Sequence, residues 1–305
     1  MAETALGSLK RALVDANLAA RGPQRTPLRR LTRLEYGYTI RDLLAIDEVI
    51  GSELAQLLPA EADSGGFDTV AANQSMSPLH VRSYLDAADR ALDEALVLGP
   101  QPATERHTID YAKSQYLYGI SVAKALGLGI LRRLDDAYVA FFDFGSTYTF
   151  HSDSEGYAIP YPGRYRVTID AYPYQADTPV GLLVYQGIKA GVVASLDQLV
   201  GSFDLMGDGR QVEVTRYMRP GELIALTVAD LDFPADDDPA RYRPADPSEG
   251  YGGMIDYPGE GVALRSMTFE GPFFDDDRWP PRSTRSLLAG LPHNAGGTIQ
   301  TSAAP

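Results

Sequence analysis

Tyr165-Arg166-Val167-Thr168-Ile169-Asp170-Ala171-Tyr172 alternates apolar and polar side chains for eight residues. A period of two is the signature of a strand with one buried face. Tyr165, Val167, Ile169 and Ala171 fall on that face, and Arg166, Thr168, Asp170 and Tyr172 on the other. Further strands are expected at Tyr138–Phe144, Val180–Tyr185, Gln211–Tyr217, Leu223–Val228 and Val262–Phe269. Asp208-Gly209 reads as a hairpin turn between Phe203-Asp204-Leu205 and the Gln211 strand, and Pro220-Gly221 as another turn. Many short strands separated by such turns predict an antiparallel sandwich. An opening strand is expected near His107–Tyr111, followed by an irregular or helical excursion to Leu134. Asp230 to Glu260 reads as a long polar loop before the last strand, and loops of that length carry function or stay disordered.

Before Pro102 the grammar is helical. Thr32-x-x-Glu35 is a capping box, flanked by Leu31 and Tyr36 at the staple positions. Tyr36, Ile40, Leu43 and Leu44 follow at helical spacing. A short helix is expected from about Ser52 to Leu58, ending at Pro59. Ser77-Pro78 starts another helix, proline being suited to the first helical position. Leu79, Tyr84, Leu85, Ala88, Leu92 and Ala95 form its expected apolar stripe, and Gly99-Pro100 stops it. The expected division is a helical domain at 1–102, a β-sandwich at 103–280 and a linker or tail at 281–305.

Composition narrows the function. The 305 residues carry a formal charge of -14, which repels phosphate backbones and anionic membrane surfaces. Nucleic acid is therefore not an expected partner. The absence of cysteine excludes disulfides, thiol nucleophiles and haem attachment through C-x-x-C-H within this chain. No run approaches the ~20 apolar residues of a membrane span. The first 22 residues lack the apolar core of a signal peptide and read as a short amphipathic helix.

Gly127 and Gly129 lack the third glycine of a dinucleotide fingerprint. His80, His107, His151 and His293 stand at no metal-binding spacing, and no G-x-S-x-G elbow presents a serine. Glu61, Asp63 and Asp68 read either as a carboxylate pair or as capping and turn residues. Asp230, Asp232, Asp236, Asp237, Asp238 and Asp275–Asp277 offer oxygen ligands to calcium, yet without D-x-D-x-D-G spacing a solvated acidic loop explains them too. No catalytic residue is assigned. Tyr242, Tyr251, Asp256, Tyr257 and Trp279 are the ligand-binding candidates. Sugar C–H faces pack on aromatic rings, and tyrosine hydroxyls and carboxylates bond sugar hydroxyls. Tyr165, Tyr172 and Tyr185 read as core or sheet-face residues.

Two resemblances bear on this reading. RRLTRLEYGYTIRDLL, LLPAEADSGGF and SMSPLHVRSYLDAADRALDEAL resemble the helical domain of planctomycete-type, cytochrome-associated multidomain proteins. WPPRSTRSLL is similar to the exit from the sandwich of those proteins. PGRYRVTIDAYPYQADTPVGLLVYQG, RQVEVTRYMRPGELIALTV and GVALRSMTFEGPF resemble strands of carbohydrate-binding jelly rolls, relatives of galactose-binding domains. The resemblances imply an α+β chain: a helical domain followed by an antiparallel, jelly-roll β-sandwich. They imply a non-catalytic glycan-binding module within a larger exported, extracytoplasmic bacterial protein. The implied partners are carbohydrate or neighbouring domains, with no cofactor beyond a structural calcium. Two other readings stay open. The chain is a scaffold of a haem c-linked oxidoreductase whose haem lies elsewhere, or a structural interaction module.

Overall fold

The computed structural model describes residues 7, 10–16, 29–60, 76–122, 131–141, 150–190, 193–207, 209–229, 231, 236–237, 239–242, 256–274 and 278–289. They form two compact units, one within Met1–Val97 and Arg282–Leu291 and the other within Leu98–Pro281. The chain is α+β, with helices first and antiparallel sheets after them.

Helix α1 spans Arg33–Leu44, α2 Glu48–Gln56 and α3 Pro78–Ala95. The predicted capping box closes α1: Glu35 N donates to Thr32 Oγ1, and Thr32 N donates to Glu35 Oε2 at 3.0 Å. Arg29 adds two 2.6 Å bonds to the same carboxylate. Helix α2 starts earlier than Ser52 because Asp47 caps it, its carboxylate accepting from Val49 N at 2.9 Å. Ser77 caps α3 as expected, and His80 closes the box through Nδ1.

The buried stripe of α3 differs from the expected one. Ala95 is buried as expected, but Ala87 and Ala91 are buried with it, whereas Leu79, Leu85 and Leu92 are exposed. Leu43 of α1 is also exposed, while Tyr36 and Leu44 are buried. Short side chains on the inner face let helix axes approach closely, and spacing alone does not tell an alanine face from the leucine face beside it. The stretch expected as a linker contains a helix, α5 (Arg282–Leu287). Thr284, fully buried, donates from Oγ1 to Ala95 O and accepts from Val97 N, both at 2.8 Å. Those two bonds satisfy backbone groups left open where α3 ends.

The second unit is a sandwich of β1 (Glu105–Asp110), β2 (Leu131–Arg133), β3 (Tyr138–Ala140), β4 (Gly163–Tyr174), β5 (Val180–Ala190), β6 (Val193–Ala194), β7 (Gln198–Leu205), β8 (Arg210–Met218), β9 (Glu222–Ala229) and β10 (Gly261–Phe273). One sheet runs β2-β3-β10-β4-β8, with β1 also on β10. The other runs β9-β5-β7, with β6 on the end of β5. Phe150 and His151 lie along the outer edge of β9 through a bridge to Ala225 and a bond from Leu226 N to Phe150 O. The order β3-β10-β4-β8 opposite β9-β5-β7 is that of a jelly roll. Helix α4 (Gln115–Val122) occupies the expected excursion.

Asp208-Gly209 does not close a hairpin. β7 pairs with β5 and β8 with β4, so the chain crosses between sheets there. Gly209 sits at φ +113°, and a Cβ on it would lie 2.8 Å from Tyr172 Cβ. Glycine serves this crossover for the reason it serves hairpins, a positive φ, so the local signal does not distinguish them. Asp208 lies outside the described residues.

Tyr165, Val167, Ile169 and Ala171 share one buried cluster with Leu182, Val184, Leu226 and Val228 of the opposite sheet. Each fully buried Leu, Ile or Val contributes about 1.5–3 kcal/mol. That cluster holds the sheets face to face and leaves the other face of β4 for solvent. Among the described residues no helix is long and apolar enough to cross a membrane.

Candidate functional site

The outward side chains at the end of β4 are Asp170, Tyr172 and Tyr174. Beside them stands the β2–β3 hairpin, closed by a bond from Leu134 N to Ala137 O at 2.9 Å. Its turn carries Asp136. Arg265 sits at a register shift of β10 between Leu264 and Ser266, where one strand has an extra residue.

These residues lock together. Arg265 Nε donates to Asp136 Oδ2 at 2.7 Å, and Nη1 donates to Asp170 Oδ1 at 3.3 Å. The Arg265 guanidinium lies 4.1 Å from the Tyr172 ring centroid. Tyr172 donates to Asp136 Oδ1 at 3.2 Å. The bond from Arg265 holds the Asp136 carboxyl below its usual range. Asp136 is thus an ionised acceptor at neutral pH. Burial, reinforced by Asp136, pushes the Tyr172 phenol up to about 12, so it stays a neutral donor.

A second cluster adjoins the first along β2 and β4. Arg132 Nη1 donates to Tyr174 Oη at 3.0 Å and to Gln175 Oε1 at 2.6 Å. Its Nη2 donates to Tyr257 O at 2.8 Å. Gln175, at φ +53°, donates from Nε2 to Tyr257 O and Gly259 O, both at 3.2 Å. One guanidinium and one amide thus fasten the end of the long polar loop to the sheet edge.

Among the predicted site residues, Tyr242 and Tyr257 meet edge to face at 5.1 Å. Tyr257 is buried, with Phe141 also 5.1 Å away. Tyr242 is half-buried and donates to Asp237 Oδ2 at 2.5 Å. Asp256 is exposed next to Tyr257. Trp279 belongs elsewhere: its Nε1 donates to Gly99 O at 2.6 Å and its ring packs on Phe274. Tyr251 lies outside the described residues, as do most of the acidic loop positions and Asp275–Asp277. Among the described residues no three His, Asp or Glu side chains converge as a metal site.

Spacing and composition do not single out Arg132, Asp136 or Arg265, and Tyr172 reads from sequence as a core or sheet-face residue. The alternation that buries Ala171 turns Tyr172 outward, so that much was readable. The meeting of Asp136 with Arg265 was not, since the two lie 129 residues apart.

Residues 29–97 match the family described as PSD3, protein of unknown function (DUF1587). No curated protein matches the chain in sequence. The solved structure "BiXyn10A CBM1 APO" is 9% identical, covers 54% of this chain and 96% of that one, and superposes with a TM-score of 0.26. A family two carbohydrate esterase from Cellvibrio japonicus is 13% identical with a TM-score of 0.24, covering 58% of this chain and 38% of that one.

Proposed function

We propose that the edge formed by Tyr172, Tyr174, Asp136 and Arg265 binds a glycan without catalysing a reaction. The observation that carries this reading is the Asp136–Arg265–Tyr172 set, partly exposed where the end of β4 meets the β2–β3 turn and fixed by its own bonds. Such a set gives a flat apolar ring beside a fixed acceptor and a fixed donor fork, which suits adjacent sugar hydroxyls. Tyr242 and Asp256 form the loop side of the site, with Tyr257 as the floor beneath Tyr242. Trp279 takes no part, because Gly99 and Phe274 engage it.

The exposed carboxylates nearby, Asp135, Asp177 and Asp256, repel anionic sugars and favour neutral ones. In this reading the two units belong to a larger exported protein, and the sandwich carries it to polysaccharide. Isothermal titration with soluble xylan, mannan and β-glucan, and polygalacturonate as the charged control, tests it. Saturable heat with a neutral polymer at micromolar to millimolar affinity is expected. Silence with every polymer removes the glycan reading.

A further inference from the structure

His151 is buried, and neither ring nitrogen has a hydrogen-bond partner. Its backbone is well held. Ser154 N and Ser154 Oγ both donate to His151 O, at 3.1 and 2.6 Å. The residues around it tie this segment to β9: Leu226 N donates to Phe150 O at 2.8 Å, and Ile224 N donates to Ser152 Oγ at 3.3 Å. The imidazole thus lies on the edge of β9 without a polar contact of its own.

The charged groups around it are already engaged. Asp153 pairs with Lys189 of β5 at 2.5 Å. Glu155 accepts from Ser114 Oγ, and Ser114 Oγ accepts from Leu117 N of α4 at 2.9 Å. Tyr116 of α4 faces the imidazole edge-on at 6.2 Å. Glu222, at the start of β9, accepts from Gln186 and from Arg219 N. A neutral imidazole without partners is costly to bury, and an imidazolium is far costlier. A proton on His151 therefore requires water to enter, or Asp153 to leave Lys189.

We propose that His151 is a proton-operated latch: neutral, it lets the 150–155 turn seat on β9, and protonation releases that turn from the strand. Burial holds the imidazole below its ordinary value, so uptake of the proton drives opening as pH falls below about 6.5. Asp153 opposes and Lys189 assists that displacement.

The strand carries its own reporters. Ile224 and Leu226 direct their amides to the turn. The alternate residues Ala225 and Thr227 direct theirs to β5, as alternation in an antiparallel ladder requires. Residue-resolved amide hydrogen exchange on the whole chain, at pH 7.5 and pH 5.0 and corrected for intrinsic rates, separates the two sets. Protection at Ile224 and Leu226 should fall measurably at pH 5.0 relative to pH 7.5. Ala225 and Thr227 should hold. Unchanged protection at all four, or an equal fall at all four, overturns the latch. In His151→Phe the pH dependence at Ile224 and Leu226 should vanish; its persistence also overturns the latch. The wild-type comparison decides the matter alone if that variant does not fold.

Discussion

Gly37 of α1 and Gly51 of α2 meet backbone to backbone: a Cβ built on Gly37 would stand 2.4 Å from the Gly51 carbonyl oxygen. Two helices cross there with no side chain between them. Glycine inside a helix normally weakens it by roughly 0.5–1 kcal/mol against alanine. Here the sign reverses. Gly37→Ala should destabilise the helical unit by about 1–3 kcal/mol through overpacking. Gly51→Ala, whose Cβ would meet Arg41 Cβ at 3.0 Å and Gly37 O at 3.1 Å, should cost less. Urea unfolding followed by helical circular dichroism ranks the two. A gain in stability from Gly37→Ala would contradict the crossing.

Glu35 makes the entry to α1 sensitive to acid. Bonds from Arg29 and from the Thr32 amide lower its pKa from 4.5 to about 2. A depressed carboxyl contributes its full stabilisation above the unfolded value of 4.5 and loses it as pH falls toward 2. Both side chains are about one-third exposed, so solvent screening limits the effect to about 1 kcal/mol or less. Glu35→Gln should flatten the pH dependence of unfolding between pH 5 and pH 2, compared by denaturant titration with the wild type.

Thr284→Val should destabilise the helical unit by about 1–3 kcal/mol with almost no change in volume. It leaves Val97 N and Ala95 O without the partner each now has in the threonine hydroxyl. Thermal unfolding gives the difference. Equal midpoints would mean that α5 does not hold the end of α3.

Two tyrosines of the proposed glycan site should separate under mutation. Tyr172→Ala removes a half-buried ring at the end of β4 and should abolish binding to a neutral polysaccharide with a smaller loss of stability than Tyr257→Ala. Tyr257→Ala opens a cavity between Phe141 and Tyr242 and should cost about 2–4 kcal/mol. Calorimetry and titration on both variants provide the four readings. A binding loss without unfolding in Tyr257→Ala alone would move the site to the loop.

What the chain dictated locally was legible. The Thr32–Glu35 box, the Ser77 cap and the alternation of Tyr165 through Tyr172 each depend on residues within a few positions, so spacing and side-chain chemistry suffice. The burial of Ala87 and Ala91 beside exposed leucines was decided in three dimensions, as were the crossover at Gly209 and the contact of Gly37 with Gly51. The same holds for Thr284 at the end of α3 and for Arg265 between Asp136 and Asp170. Each of these depends on which surface arrives from far along the chain. A helix or strand presents several faces to its surroundings, and only packing against a distant neighbour selects the one that is buried and the one left open to a ligand.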